Sequence, residues 1–532
     1  MSIESRTPID DIVVNDSGLR VLDSADKIVR WIEYQYEEQE INHILNPEIP
    51  FHRYIELSSC VISTRSYDGK PSLMNLCDIA GKIECVIKTS KDYPHKTPFH
   101  QEVLEEIRCN DSILYGAFFH CTKFHQGISF SNTIINGGDF SRCEFLDYAF
   151  FQKCKLAFGS FESSIFHKGV YFSESEFDHF QVIFRGCIFR DDANFKNIKI
   201  NEISDITLLS HSRIDFSRST FSKGFNFIDI DIPTHCWFEE CIFEQVAILR
   251  DIISRFTISF AGATIKNRIL ISASKEDCKN QIEKLIISHL DITGRFDIEN
   301  SNINIFRANF TNLQDKSILR LFHNNISNCD MDSICNRGII MFEEDNLSNI
   351  ILDSAINVGI IELENTKIDA HNITSRKTAR ILKDSAYKSN NIIDGLKYKA
   401  LELEIHKSEK TILWYDKFIL FLNKFSNGYD LNFIKGICFT IGTAVLFFWA
   451  INYWGTANPI FELNYHFDFT GFGEVWKKYL DVLNVLNFRD KLNGIELNAF
   501  GETMFLLSKI FIAYGMYQTV SAFRKFRKNF LP

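Results

Sequence analysis

Large apolar residues recur about every five positions through one long stretch of this sequence. They are Phe140, Phe145, Phe150, Leu156, Phe161, Phe166, Phe172, Phe177, Phe184, Phe189 and Phe195. A step of five residues turns an α-helix about 140° away from the starting face, and an odd step moves a strand residue to the opposite face. Neither regular element can therefore bury all of these side chains. The spacing predicts a chain that turns a corner about every five residues and winds around its own apolar core.

A second register of small residues accompanies the first, two positions before most of the large ones. Its members are Gly138, Cys143, Cys154, Gly159, Ser164, Ser175, Cys187, Ala193, Ser219, Cys236, Cys241, Ala263 and Ala308. One large and one small inward residue per side is what a narrow tube can hold at the packing density of a protein interior. The residues between these two registers are mostly polar, as the outer wall of such a tube requires.

The repeat becomes looser towards the C-terminus. The next predicted inward residues are Phe216, Phe221, Phe227, Phe238, Phe243, Ile248, Phe256, Phe260, Ile265 and Leu270. Residues 272–284 are polar and charged, and we interpret them as an insertion that leaves the coil. From residue 285 to residue 368 the inward positions become Ile and Leu, so aliphatic side chains are expected to replace Phe in the core.

These patterns resemble the bacterial pentapeptide-repeat family, whose repeat is approximately small, polar, Leu or Phe, any, any. Residues 143–145 (CEF), 187–189 (CIF), 193–195 (ANF) and 308–310 (ANF) match that repeat. The resemblance covers residues 113–368 and implies a right-handed, four-sided β-helix of about 20 residues per turn. The six- and seven-residue steps depart from the repeat, and we interpret them as bulged corners.

Four regions are expected along the chain. Residues 1–110 form an N-terminal cap of helix and strand, because residues 26–45 have approximately helical apolar spacing and solenoid ends need a cover over their unpaired strand edge. Residues 111–370 form the β-helix. Residues 371–432 form a basic amphipathic helical neck, and residues 433–532 form a transmembrane helical hairpin whose extracytoplasmic loop is 455–498. The predicted fold class is mainly β.

The two predicted spans of the hairpin differ in how many charged and polar residues they contain. Residues 433–454 carry no charge from Gly436 to Ile451 and have aromatic side chains at their end, which is typical of a bilayer span. Residues 499–523 are apolar but contain Glu502, Lys509 and Gln518. The tail, with residues 514–519 (YGMYQT) before the basic end, is similar to tails of membrane-anchored pentapeptide-repeat proteins.

Basic residues flank both spans. Lys417, Lys424 and Lys435 precede the first span, and Arg524, Lys525, Arg527 and Lys528 follow the second. The positive-inside rule places the solenoid and the C-terminus in the cytoplasm of a bacterial inner membrane. The four C-terminal basic residues are candidates to face anionic lipid of the inner leaflet. Ten Lys or Arg residues between positions 376 and 417 suggest either a solvated helix face or an interfacial helix.

Charge and cysteine usage exclude several classes of protein. Residues 101–370 carry 26 basic and 38 acidic groups, whereas residues 371–532 carry 21 and 14. An acidic solenoid is a poor binder of nucleic acid. The N-terminus has no basic segment followed by an apolar run, so no signal peptide is predicted. The 14 cysteines include no Cys-x-x-Cys pair, so we expect reduced thiols and neither a zinc site nor a redox motif.

No sequence motif predicts a catalytic residue, a cofactor site or a metal site, and we expect a protein that is not an enzyme. Glu502 and Lys509 are seven residues apart on one helix face, so with Gln518 they are candidate pore residues. Alternatively, Glu502 lies at the outer interface and Lys509 packs on polar groups of a neighbouring subunit. Residues 470–474 (TGFGE) look like a potassium-channel filter. An amphipathic helix over 474–488, with Val475, Tyr479, Leu483 and Leu486 on one face, is the favoured alternative.

The sequence leaves more than one function open. The first hypothesis is a platform that recruits a protein partner to the membrane and oligomerises with its own copies through the hairpin. The second is a ligand- or partner-gated channel, or a membrane-disrupting effector, with the solenoid as sensor. A third, the DNA-mimicking gyrase binding of soluble pentapeptide-repeat proteins, is disfavoured by the membrane tether and the mixed surface charge.

Overall fold

The fold is described by a computed structural model in which the chain divides into two compact units, residues 1–372 and residues 373–532. The first unit is a parallel β-solenoid of about 11 turns, and the second is helical. The structure describes residues 12, 14, 18–23, 25–45, 54–57, 60–62, 64–65, 71–72, 74–75, 101–157, 159–178, 181–201, 213–274, 280–368, 372–457, 469–487 and 495–524.

One wall of the solenoid, here called wall 1, is a separate sheet with one short strand from each turn. Its strands are Gln101–Val103, Thr122–Phe124, Glu144–Phe145, Ile165–Phe166, Ile188–Phe189, Thr220–Phe221, Ile242–Phe243, Thr264–Ile265, Asp291–Ile292, Asn312–Leu313, Cys335–Asn336 and Ile356–Asn357. All neighbours in this sheet pair in parallel, as successive turns of one coil must.

The other walls belong to one large sheet. Wall 2 contains Glu106–Arg108, Ile128–Ser129, Ala149–Phe150, Val170–Tyr171, Ala193–Lys196, Phe225–Ile232, Val246–Ser259, Arg268–Ser272, Arg295–Glu299, Ile318–Phe322, Ile339–Glu343 and Ile360–Glu364. Wall 3 contains Ile113–Phe118, Ile134–Asp139, Lys155–Ala157, Glu176–Asp178, Lys199–Ile200, Asn280–Ile286, Ser301–Arg307, Asn325–Asp330, Asn346–Leu347 and Lys367–Ile368. Wall 4 contains Gln181–Ile183, Arg213–Asp215, His235–Trp237 and Ile350–Ile351. Several of the longer strands continue from one wall into the next.

The regular turn contains 21 residues rather than the expected 20, since Phe124 pairs with Phe145 and Phe145 with Phe166. The turns are not all equal: Phe189 pairs with Phe221, which is 32 positions later. Corners of the coil use residues with positive φ, most of them not glycine. In the first turns these are Asp111, Cys121, Asn132, Arg142, Lys153, Ser163 and Glu174. Their spacing alternates between 10 and 11, so two such corners occur in each turn. These left-handed residues lie within five-residue steps, as Arg142 does between Phe140 and Phe145, whereas the six-residue step from Phe166 to Phe172 contains none. The irregular steps that were predicted to be bulged corners are therefore not the left-handed corners.

The small residue that follows each of these corners has a second role besides fitting the narrow interior. The hydroxyl of Ser164 donates a hydrogen bond of 2.6 Å to the backbone oxygen of Phe140 in the preceding turn. The thiol of Cys143 donates in the same way to the oxygen of Phe119. Cysteine and serine are interchangeable here because each is small and carries one donor. This explains why the buried cysteines are scattered and unpaired.

Phenylalanine rings stack along the axis in three ladders. The ladders are Phe119, Phe140, Phe161, Phe184, Phe216, Phe238, Phe260; Phe124, Phe145, Phe166, Phe189, Phe221, Phe243; and Phe130, Phe151, Phe172, Phe195. Ring centroids within a ladder lie 4.7 to 5.4 Å apart. Rings of different ladders meet edge to face, as Phe161 and Phe172 do at 5.3 Å. Both arrangements are favourable for aromatic quadrupoles.

The prediction of the inward residues was wrong by one position where two candidates are adjacent. Phe151, not Phe150, is fully buried, and Ala149 lies two positions before it in the small register. Ile248, Phe256 and Leu270 are likewise only partly buried, since alternate residues of longer strands point inward there. The inward residues of these strands are Ala247, Leu249, Ile252, Ile258, Ile269 and Ile271.

Phe310 is a second departure from the repeat, because its side chain is 58% exposed although Ala308 before it is buried. Phe310 occupies a corner with φ of +57° and stacks on His289 of the preceding turn, with ring centroids 5.0 Å apart. The predicted insertion is also revised. Residues 280–284 belong to the wall 3 strand Asn280–Ile286, and residues 275–279 lie outside the described part of the chain.

Aliphatic side chains fill most inward positions from residue 285 onward, as predicted, although Phe296, Phe306 and Phe342 remain buried there. In several C-terminal turns two aliphatic residues replace the pair of one Phe and one small residue. Ile269 and Ile271 are both buried in one turn, and Leu319 and Leu321 in another. Two medium side chains fill about the same volume as one large and one small one, and such volume-conserving exchanges are well tolerated in cores. The tube therefore keeps its four walls after the Phe ladders end.

The N-terminal region adds a helix and further strands to the first coil. Helix α1 is Ala25–Leu45, which confirms the helical prediction, and it buries Ile28 and Ile32. Strands Tyr54–Glu56 and Cys60–Ile62 pair in parallel with the first turn. The remaining short strands are Arg20–Leu22, Thr64–Arg65, Pro71–Ser72 and Met74–Asn75. Strand pairing thus starts N-terminal to the predicted boundary at residue 111.

The second unit contains six described α-helices. They are α2 (Arg376–Lys388), α3 (Ile392–Ser408), α4 (Trp414–Asn427), α5 (Phe433–Ala450), α6 (Phe469–Leu483) and α7 (Ala499–Arg524). The predicted break between the neck helices is confirmed, because Asn391 caps α3 by accepting a hydrogen bond from the backbone of Asp394. Helix α5 ends in one π-helical segment, Ile451–Gly455.

Helices α5 and α7 run antiparallel and approach each other closely through glycine. A Cβ atom on Gly436 would lie 2.6 Å from Oγ1 of Thr519, and one on Gly515 would lie 2.5 Å from Oγ1 of Thr440. At the other end of the pair, Gly455 faces Gly501. Small residues at such a crossing let two backbones pack tightly, which is the usual way in which helices associate in a bilayer.

We expect Phe161→Ala to lower the free energy of unfolding of the solenoid by about 3–5 kcal/mol, because it removes one ring from a fully buried ladder. The matched control is Phe150→Ala, which removes a half-buried ring on the outer face and should cost roughly 1 kcal/mol. Urea unfolding followed by circular dichroism compares the two variants. Equal losses would contradict the assignment of Phe151 rather than Phe150 to the interior.

Candidate functional site

Within the described part of the chain, one helix is long and apolar enough to cross a bilayer, Phe433–Gly455, which comprises α5 and the π-helical segment. Its 23 residues span about 35 Å at 1.5 Å per residue, compared with about 30 Å for the hydrocarbon core. Large apolar side chains are exposed along much of its length: Ile434, Ile437, Ile441, Val445, Leu446 and Trp449. By its length and composition, this helix is a candidate membrane span.

The second predicted span is a helix but does not meet the same criterion. Helix α7 has 26 residues, enough to cross a bilayer, yet it is less apolar because it includes Glu502 and Lys509. The prediction of two spans and of their orientation is therefore not supported by helix composition. The extracytoplasmic loop predicted for residues 455–498 contains helix α6, while residues 458–468 and 488–494 lie outside the described residues.

Lys509 is buried within its own chain. Its ammonium group donates hydrogen bonds to the backbone oxygens of Asp481 at 2.7 Å, Val482 at 3.0 Å and Asn484 at 2.8 Å. The last carbonyl groups of a helix have no intrahelical partner and carry the negative end of its dipole. Lys509 therefore caps the C-terminus of α6 and fixes this helix against α7. The polar groups predicted to come from a neighbouring subunit come from the same chain.

Glu502 and Lys509 differ in environment although seven residues separate them on one helix. Glu502 is exposed near the start of α7, whereas only 2% of Lys509 is exposed because the end of α6 covers it. Arg524 is the last residue of α7. Lys525, Arg527 and Lys528, the other predicted lipid-facing residues, lie outside the described residues.

Gln518 lies in a buried group of amide side chains that joins α4 to α7, which we call the amide network (Asn423, Asn427, Tyr514 and Gln518). The side-chain nitrogen of Gln518 donates to Oδ1 of Asn423 at 3.0 Å, and the hydroxyl of Tyr514 donates to the same oxygen at 2.7 Å. The side-chain nitrogen of Asn427 donates to the backbone oxygen and to the side-chain oxygen of Gln518. Satisfied networks of this kind hold helices in one arrangement.

Asp430 extends the amide network towards the neck helices. Its carboxylate accepts hydrogen bonds from Lys399 of α3 at 2.8 Å and from Ser521 of α7 at 2.8 Å. Burial acts to raise the pKa of Asp430, but the hydrogen bonds from Lys399 and Ser521 outweigh it, so the pKa lies below its ordinary value. The carboxylate therefore stays ionised and connects three helices of the unit.

The residues that resemble a channel filter are helical. Residues 470–474 lie in the first turns of α6, so their carbonyl groups take part in helix hydrogen bonding rather than lining an open loop. The alternative prediction of an amphipathic helix is confirmed with earlier bounds, Phe469–Leu483. Tyr479 packs into a cluster with Phe448 and Ile512, whereas Leu486, predicted on the same face, is 87% exposed beyond the helix end.

Helix α4 has an exposed aromatic face that the sequence analysis missed. Trp414, Phe418, Phe421 and Phe425 follow helical spacing and are each at least 48% exposed. An amphipathic helix normally buries such a face. The helical spacing of these four residues is the sequence signal from which this face could have been predicted.

An open groove of about 770 Å³ lies between α3, α4 and the first half of α5. We call it the basic groove, and it is lined by Lys407, Phe421, Lys424, Phe425, Lys435, Cys438, Phe439, Gly442, Thr443 and Leu446. Its walls are mainly apolar, but each of the three helices contributes one lysine. Lys424 pairs with Glu404 at 2.6 Å, and Lys407 lies over the ring of Phe421.

The solenoid has a polar column inside its last turns. Asn280, Ser301, Asn324 and Asp345 are buried on successive turns and hydrogen-bond along the axis. Oδ2 of Asp345 has no hydrogen-bond partner, and burial raises the pKa of this carboxyl group to about 7. With this pKa the carboxyl group is about half protonated at neutral pH, whereas an ordinary aspartate would be fully ionised. Among the described residues, no group of three or more His, Cys, Asp or Glu side chains could hold a metal ion.

Comparison of the chain with protein-family models, with curated proteins and with solved structures gave no match. The functional assignment therefore depends on the fold and on the side-chain geometry of the two units. The solenoid supplies regular polar walls with one internal carboxyl group. The helical unit supplies a candidate span, an exposed aromatic helix face and a basic groove.

We expect Lys509→Met to lower the stability of the helical unit by about 1–3 kcal/mol, because the carbonyl groups at the end of α6 lose their donor. Thermal unfolding of the full-length protein in detergent measures this loss. Lys477→Met, which removes an exposed lysine of α6, is the control and should leave the melting temperature unchanged. Loss of ion flux in liposomes with normal stability would contradict the capping role and favour a pore residue.

As the pH is raised from about 4 to about 7, we expect the free energy of unfolding of the wild type to fall relative to that of Asp345→Asn. The unfolded chain ionises at the ordinary pKa, whereas the folded carboxyl group keeps its proton up to about pH 7, so stability is lost over this range at roughly 1.4 kcal/mol per pH unit. Urea unfolding at several pH values tests this course. Asp315→Asn, at an exposed carboxylate of the same solenoid, should not show it.

Proposed function

We propose that this protein is a non-enzymatic, membrane-anchored β-solenoid that serves as a platform for another protein at the bacterial inner membrane. The observation that carries the proposal is the contrast between the units. The solenoid buries most of its apolar residues in its own core, whereas α4, α5 and α7 expose large aromatic and aliphatic side chains along their lengths. Exposed apolar surface of this kind marks contact with a membrane or with another chain.

The solenoid supports a scaffold role because its walls are rigid and carry ordered polar side chains. On wall 2, the buried carboxylate of Asp297 is held by Arg268 and Arg295, each at 2.5 Å. Arg320 on the next turn bonds to Glu343 at 2.6 Å. A groove of about 520 Å³ near wall 3 is lined mainly by amide, hydroxyl and charged groups, among them Asn304. We propose this groove as the surface for a protein partner.

Membrane insertion through a hairpin of α5 and α7 is the second part of the proposal. The antiparallel crossing places Gly436 next to Thr519, so Lys435 and the C-terminal end of α7 at Arg524 belong to the same end of the pair. The ammonium group of Lys509 is solvated within the unit by three carbonyl groups, which lowers the cost of placing it in a bilayer. The solenoid and the C-terminus would then lie on the cytoplasmic side.

The pentapeptide pattern and the solenoid of about 11 turns support membership of the pentapeptide-repeat family. Anionic lipid and further copies of the chain are the other proposed partners. No specific observation favours the channel hypothesis, because among the described residues Lys509 and Gln518 both have hydrogen-bond partners within the helical unit.

Membrane fractionation of the full-length protein tests the anchor. We expect the wild type to resist extraction by alkaline carbonate and Ile441→Lys/Val445→Lys to be extracted, because each lysine at the centre of a span costs about 3 kcal/mol. The control is Val246→Lys/Ile253→Lys, the same change at exposed apolar residues of the solenoid. Extraction of the wild type itself would overturn the anchor.

Site-specific photocrosslinking in the same membranes tests the platform. A photoreactive residue at Asn304 should give a discrete adduct with one partner, and one at the exposed Lys266 on wall 1 should not. Adducts from neither position would overturn the assignment of the wall 3 groove.

A further inference from the structure

The basic groove combines an apolar channel with unneutralised positive charge. It follows α5 from Lys435 to Leu446, which is about 16 Å at 1.5 Å per residue. Phe421 and Phe425 of α4 form the opposite side, and both rings are about half exposed or more. A channel with this lining is suited to a hydrocarbon chain.

The three lysines of the groove outnumber the acidic groups paired with them. Glu404 pairs with Lys424, whereas no ion pair of Lys407 or Lys435 is found within the described ranges. Lys435 is the last charged residue before the uncharged part of α5, so it lies where the headgroup layer would meet the candidate span. An occupant of the groove should therefore be anionic at this level and apolar beyond it.

We propose that the basic groove binds one anionic phospholipid, whose phosphate contacts Lys407 and Lys435 and one of whose acyl chains lies along Phe421, Phe425 and Leu446. The inference rests on the proposed membrane anchor and adds a specific lipid to it. Basic pockets beside membrane-spanning helices commonly recognise acidic lipid headgroups. A soluble anion would leave the apolar part of the groove exposed to water, and a neutral lipid would leave the two lysines without a counter-charge.

Cys438 provides a reporter inside the groove. It is the one exposed thiol among the cysteines that the structure describes. The core thiols are buried, and burial raises the pKa of Cys154 to about 12, so such thiols stay protonated and unreactive. Reaction of a maleimide with the peptide that carries Cys438 can therefore be followed by mass spectrometry in the full-length protein.

The experiment compares nanodiscs of phosphatidylcholine alone with nanodiscs that also contain phosphatidylglycerol. We expect phosphatidylglycerol to slow the labelling of Cys438 and one phosphatidylglycerol to remain bound in native mass spectra. In Lys407→Gln/Lys435→Gln both effects should be lost, with apparent lipid affinity lower by roughly tenfold or more. Lys410→Gln/Lys477→Gln removes the same charge from exposed positions outside the groove and should behave as the wild type.

Several outcomes would overturn the inference. Equal protection in both double variants would mean that anionic lipid acts through the general surface potential. Protection by soluble glycerol phosphate would mean that the headgroup alone is bound, and protection without anionic lipid, accompanied by a dimer, would mean that a second copy covers the groove. If carbonate extracts the wild type from membranes, the anchor fails; if the anchor holds and phosphatidylglycerol has no effect, only the lipid site fails.

Discussion

The left-handed corner is the constraint on which the solenoid depends. Each of the regular first turns contains two residues with positive φ, most of which carry a side chain and are strained by roughly 1–2 kcal/mol each. The strain is offset only when the corner stacks on the preceding turn, because the small residue after the corner then donates to a backbone oxygen of that turn, as Ser164 does. The ring ladders lie directly inside these corners. Corner geometry, small residues and stacked rings thus form one cooperative unit that no single turn could maintain.

The regular part of this unit could be predicted from the sequence, and the exceptions have physical reasons. Apolar residues five apart identify the coil, but the choice between Phe150 and Phe151 depends on which residue absorbs the extra position of the turn. Phe310 was misplaced because its corner, not its residue type, decides its exposure. In the helical unit, the helices followed from apolar spacing. The partners of Lys509 lie 25 to 28 residues away across a segment with no repeat, so spacing alone could not find them.

The helical unit buries several polar groups and exposes large apolar side chains on α4, α5 and α7, in contrast to the solenoid. The amide network and Asp430 are hydrogen-bonded to one another and join α3, α4 and α7, and Lys509 separately joins α7 to the end of α6. The exposed faces of α4 and α5 consist of aromatic and aliphatic residues. This arrangement is what a bilayer requires of a protein, since hydrocarbon offers no hydrogen bonds. The basic groove lies where charged and apolar faces meet.

The unequal turns of the solenoid have a consequence for how such a chain can change. The rings of Phe189 and Phe221 are 5.0 Å apart although 32 positions separate them, the same distance as in turns of ordinary length. The distance between stacked turns along the solenoid axis is therefore independent of how many residues a turn contains. Extra segments can therefore be inserted at a corner of any turn. Such a turn can acquire a new recognition loop without disturbing the packing of the turns on either side of it.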